Sequence, residues 1–229
     1  MLGELLPVST GRVRAERESV CGVTLLTVSA RGRPRTLTLA ARRLRSAGLC
    51  RAAIPDSPMC RQALAAAGIR AVTERDALPL LAAELTLSVL ETLVPAPETA
   101  SVALWAARRS RWLDRAALEL AERVRAVTAE LPDGAPLRQY LRRRFGLADR
   151  IGAPADLAVV FDPLPEILPP PPGLWLSRTP PPPGWHGHAD LTAALGDGTV
   201  LTDGARIALL LTAGLLPREA VDALPQIPG

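Results

Sequence analysis

The chain has 229 residues with 27 basic and 23 acidic side chains, a net charge of +4. Every base is an arginine, and neither lysine nor asparagine occurs, which excludes Schiff-base chemistry, a phosphate-gripping P-loop lysine and N-glycosylation. Apolar residues make up 48% but aromatics only 3%, so the core is built from Ala, Leu and Val, and the basic stripe with interleaved aromatics that nucleic acid favours is missing.

In chain order, "VTLLTVSA" (23–30) is β-branched and apolar and predicts a buried strand. The next segment puts Leu37, Ala40, Ala41 and Leu44 on one helical face and its arginines on the other, with Gly48 as the C-terminal cap. Residues 50–55 read as a short strand. Ser57 and Pro58 open a helix through Ala67, closed by Gly68, and 69–73 form a third strand. Thr73 and Asp76 make a capping box for a long helix over 76–94. That helix is apolar nearly all round, with only Glu84, Ser88 and Glu91 as a polar stripe, and such a helix is buried between lobes or in a dimer interface.

After the break at "PAPETA" (95–100) the alternation resumes. A strand covers 101–106, and a helix from about 112 is lined by Leu113, Ala116, Ala117, Leu120 and Val124. A strand at 125–131 leads to a helix introduced by Asp133, Gly134 and Pro136 and stopped by Gly146. The run "LAVVFD" (157–162) suits a central parallel strand. Residues 163–183 hold two tetraproline runs, Pro169–Pro172 and Pro180–Pro183, read as a stiff surface connection around a short strand at 173–177. A last helix over 203–215 follows Asp203 and is expected to continue as "REAVDAL" after Pro217. The class is α/β: Rossmann-like parallel sheets flanked by helices, in two βα modules. The expected division is an N-terminal lobe over 1–95 and a degenerate Rossmann-like lobe over 96–229, which carries the proline-rich connection and the C-terminal helix.

Cys21, Cys50 and Cys60 are odd in number, lack C-x-x-C spacing and read as reduced thiols. The N-terminus has no basic start followed by an apolar run, so no signal peptide is expected. The longest apolar run, 207–216, is too short to span a bilayer. A cytoplasmic protein with neither a membrane nor a nucleic-acid partner is the expectation.

The stretch "GIRAVTERDALPLLAAELTLSVLETL" resembles the segment of 2-hydroxyacid dehydrogenases and their relatives, the dipicolinate synthase A type included, that leads from the first lobe into the cofactor lobe. The strand at 101–106 then stands where those enzymes have their first Rossmann strand, and "ADLAVVFDPLP" with "PPGLWLS" is similar to their late strand pair. The resemblance covers residues 68–177 as a pattern of elements and implies a scaffold of the Rossmann-type NAD(P)-dependent dehydrogenases. Their G-x-G-x-x-G loop needs glycines for the tight turn, for approach to the pyrophosphate and for helix packing. Here those positions hold Ala106, Arg108 and Arg111, or one residue earlier Trp105, Ala107 and Ser110. Glu130 lies about 20–25 residues on, where the family carries its ribose-binding acid. Arg108, Arg109 and Arg111 precede a helix N-terminus and are candidates to hold a phosphate by side chains.

Both histidines lie in "WHGHAD" (185–190). In an extended strand His186, His188 and Asp190 share a face, a candidate metal-ligand set. No G-x-S-x-G elbow, H-E-x-x-H helix or P-loop is present. These features point to a non-catalytic Rossmann-like scaffold that acts by self-association or through a protein partner, with the helices at 76–94 and 203–215 as contact surfaces. The alternative is an oxidoreductase that binds NAD(P) on the arginine-lined loop, with Glu130 near the ribose.

Overall fold

Parallel strands joined by helices form both halves of the computed structural model, which describes residues 1–147, 151–163, 173–179, 181–196 and 198–225. The chain divides into two units: Met1–Ala77 with Leu191–Asp222, and Leu78–Asp190 with Ala223–Gly229. The sequence reading divides it at 95/96, whereas contacts divide it at 77/78 and return residues 191–222 to the first unit.

The first unit contains β1 (Leu2–Val8), β2 (Arg14–Val20), β3 (Val23–Arg31), α1 (Pro34–Ser46), β4 (Arg51–Ala53), α2 (Pro58–Ala66) and β5 (Arg70–Val72). The sheet order is β2-β3-β1-β4-β5. β1, β3, β4 and β5 are parallel, and β2 is an antiparallel edge. The sequence reading did not include β1 or β2. Pro7 and Glu4 disguise β1, yet β1 meets β4 only at Gly3 and Glu4, so the donor that Pro7 lacks has no ladder to complete on that side. β2 reads "RAERESV"; its mostly exposed charges suit an edge that must not recruit another strand. Cys21 and Gly22, both with positive φ, turn β2 into β3.

α1 and α2 cover one face of this sheet, where Leu5, Val28, Leu37, Ala41, Leu44, Ile54 and Leu64 form the core. Glu4 alternates with Leu5 and faces the other side, toward the C-terminal helix α6 (Gly204–Thr212). Asp203 caps α6 by accepting from Arg206 N at 2.9 Å.

The second unit contains α3 (Ala82–Leu93), β6 (Ser101–Ala106), α4 (Arg111–Ala121), β7 (Ala126–Glu130), α5 (Ala135–Phe145), β8 (Leu157–Asp162) and β9 (Gly173–Trp175). The long helix expected over 76–94 is shorter. Pro79 cannot donate to a helix, so 78–81 form a 3-10 turn and α3 begins at Ala82. The four strands are parallel, in the order β7-β6-β8-β9. The first strand of this sheet is therefore internal. The chain goes to one side of it for β7 and to the other for β8, a topological switch at the carboxyl ends of β6 and β8. A small sheet of β10 (Ala189–Ala194), β11 (Val200–Leu201) and β12 (Val221–Pro225) has the order β11-β10-β12. The expected continuation after Pro217 is this last strand and a 3-10 turn, not a helix.

The class is thus α/β, with Rossmann-like parallel sheets flanked by helices in two βα modules. Of the proline-rich connection over 163–183, residues 164–172 and 180 lie outside the described residues. The two helices expected to present contact surfaces use their apolar sides internally. Leu85, Val89 and Leu90 of α3 are buried in a unit where the helix meets α4 and β8, and Ile207–Leu211 of α6 are buried beside β4 and β5. Among the described residues no helix is long and apolar enough to cross a membrane.

Candidate functional site

The switch point puts the arginine-bearing turn at the head of α4, where this architecture collects ligands. Ser110 takes the N-cap position because its Oγ accepts from Leu113 N at 3.2 Å. Behind it, Leu113, Ala116, Ala117 and Leu120 anchor the helix on the sheet. No residue from Ala106 to Arg111 has positive φ; Cys21 is the sole non-glycine that does among the described residues. The turn is thus built without the left-handed conformation for which a glycine is selected.

Two of its three arginines are committed locally. Arg109 Nε donates to both carboxylate oxygens of Asp114, at 2.8 and 3.1 Å, and this bond raises the Arg109 pKa above the usual arginine value. The Arg111 guanidinium lies 4.1 Å from the centre of the Trp112 ring. Arg108 is exposed and makes no side-chain bond among the described residues. Sequence reasoning missed Asp114, whose signal was an acid in the first helical turn five residues beyond Arg109.

The strands at the switch do not part. The β6–β8 register shifts at Trp105/Ala106, and Ala106 pairs with Asp162. Ala107 N then donates to Asp162 O at 3.0 Å, carrying the main-chain link past the end of β6. Glu130 ends the neighbouring strand opposite Trp105. Its Oε1 accepts from Gly152 N at 2.8 Å, so this carboxylate holds the turn before β8. A surface cavity of about 430 Å³ lies on α5, lined by Ala135, Pro136, Arg138, Gln139 and Arg142.

Three of the four tryptophans gather around β8 and β9. Trp175 and Trp185 meet edge to face with ring centres 5.6 Å apart, and Trp105 packs against the cluster they form with Ala158 and Val160. Gly173 carries no Cβ because the Trp185 ring occupies that space. Trp175 Nε1 donates to Thr179 O at 2.8 Å, while Trp105 Nε1 is buried without a hydrogen-bond partner among the described residues.

The histidines belong to the same region. His186 is buried and laid along β9: His186 N donates to Gly173 O at 2.9 Å, and Trp175 N donates to His186 O. His188 and Asp190 are exposed, so the three expected ligands do not share one environment. Among the described residues no group of three or more His, Cys, Asp and Glu side chains is placed to hold a metal ion.

No family model matches the chain, and no curated protein does. Among solved structures it is similar to the L-tryptophan dehydrogenase from Nostoc punctiforme, with 13% identity and a TM-score of 0.32 over 61% of this chain. The match spans 44% of that dehydrogenase.

Proposed function

We propose that the chain is a non-catalytic Rossmann-like scaffold that works by protein association, self-association first, and takes no dinucleotide at its second-unit turn. The observation that carries this is the head of α4, filled by the chain's own groups. A pyrophosphate sits where main-chain N–H groups are open and the helix dipole is uncompensated. Here Ser110 accepts from Leu113 N, and the Asp114 carboxylate supplies negative charge in the first turn. A diphosphate would meet that carboxylate and compete with it for Arg109. The main-chain link from Ala107 to Asp162 and the engagement of Glu130 by Gly152 support the same reading.

Thermal unfolding with NAD, NADP and their reduced forms tests it. A ligand at a hundred times its Kd stabilises by about 2.7 kcal/mol, which is a shift of about 5–10 °C in a chain of this size. No shift is expected with any of the four. A shift with one would transfer the assignment to an oxidoreductase that binds NAD(P) beside Arg108 and Glu130.

A further inference from the structure

Charge is divided unevenly along this chain. Residues 1–77 carry thirteen arginines against six acidic side chains, whereas 78–107 carry Glu84, Glu91 and Glu98 and no base. Part of each excess lies exposed on one helix and the residues beside it.

α1 buries Leu37, Ala40, Ala41 and Leu44 and turns Arg35, Leu39, Arg42 and Arg43 to solvent. These four are spaced i, i+4, i+7 and i+8, a single stripe. Leu39 is 56% exposed in the middle of it. The helix has no acid in its first turn and no side-chain cap, and Arg31 and Arg33 stand exposed just ahead of it. Its positive end therefore carries added positive charge, the unfavourable arrangement for an isolated helix. Among the described residues none of these five arginine side chains makes an ion pair or hydrogen bond.

The end of α3 is the converse. Glu91 is exposed in the last turn, Leu93 is 41% exposed, Glu98 follows at the surface, and no base compensates the carbonyl end. Neither Glu91 nor Glu98 has a side-chain partner among the described residues.

We propose that these are the two halves of one contact between copies of this chain: the Arg35–Leu39–Arg42–Arg43 stripe of one molecule docks on Glu91, Leu93 and Glu98 of another. Each patch has what the other lacks, an opposite set of unpaired charges around one exposed leucine. Nucleic acid would satisfy the arginines but offers Leu39 nothing and leaves the α3 end unmatched. The proposal rests on the self-association in the functional reading and names the surface that performs it.

Light scattering or sedimentation of the full chain tests it with two variants. One carries Arg35→Glu, Arg42→Glu and Arg43→Glu; the other carries Glu91→Arg and Glu98→Arg. Wild type should exceed the 24.3 kDa monomer mass at low salt and fall toward it as salt rises to about 1 M, where the screening length is about 3 Å. Each variant alone should stay monomeric, because like charges then face each other. An equimolar mixture should associate again, since the reversed arginines find the reversed carboxylates, and that recovery also shows both variants are folded. Association of either variant alone at wild-type strength overturns this interface while leaving self-association standing. A mixture that stays monomeric overturns it as well. A wild type monomeric at every concentration removes both the interface and the self-association reading.

Discussion

Asp156 shows how much one side chain settles in the second unit. Its carboxylate accepts from Ser101 Oγ at 2.8 Å and Ser101 N at 2.7 Å, and Asp156 N donates back to Ser101 O at 3.0 Å. The start of β6 is thereby clamped to the residue just ahead of β8. The Ser101 hydroxyl, then its main-chain N–H, hold the Asp156 carboxyl below the usual aspartate value. Because the folded value lies below the unfolded one of about 3.9, the clamp is complete above that pH and is lost as pH falls through the folded value. Asp156→Asn should cost about 1 kcal/mol at neutral pH, reduced from the full charged-bond value because the group is exposed. Urea midpoints should show the gap to wild type narrowing below about pH 4. Similar reasoning separates what could be read at the turn ahead of α4. The start of α4 was legible to within a residue, because the signals of a helix start are local. The partner of Glu130 was not, since Gly152 lies 22 positions away and contributes only a main-chain N–H.

At the scale of elements, the edge strand β7 is finished by a neighbour. Arg138, on α5, donates to Ala129 O at 2.9 Å and so occupies a carbonyl on the strand that, among the described residues, pairs only with β6. Gly134 makes this possible by close approach, not by unusual φ: a Cβ there would run into the Arg138 guanidinium and stand 3.0 Å from Ala129 O. Gly134→Ala should therefore destabilise by about 1–3 kcal/mol, the ordinary cost of overpacking. In a domain of this size that lowers Tm by about 2–4 °C for each kcal/mol. Arg138→Ala in the same background should recover part of the loss. Both substitutions are read by thermal unfolding. Element boundaries obeyed similar local chemistry: Pro79 delayed α3, and Gly146, with φ +69°, ended α5.

Over the whole chain, the first unit is closed by an ion network whose partners lie 202 positions apart. Glu4, 1% exposed, accepts from Thr27 Oγ1 at 2.7 Å and from Arg206 Nη2 at 2.7 Å, and Arg206 also reaches Glu18 at 2.9 Å. Burial works against the Arg206 charge, but the Glu4 and Glu18 carboxylates outweigh it and raise its pKa. Arg206→Ala leaves a buried carboxylate without its counter-ion and should cost about 3–5 kcal/mol in urea unfolding. Glu4→Leu with Arg206→Met should cost much less, because no charge is then stranded. The sequence by itself determined the α/β class, most helices and the apolar strands of the second sheet. Helical and strand periodicities, caps and breakers act within a few residues, and that is where one chain carries its information. It also determined the poverty of the chemistry: no lysine, two histidines and a turn without glycine. Only the tertiary structure decided that Glu4 is a buried strand residue, that charged β2 is a sheet edge, that His186 lies inside while His188 lies outside, and that the C-terminal helix belongs with the first sheet. Each of these depends on which distant segments pair, and pairing is fixed by burial and hydrogen bonding between residues that no local pattern connects.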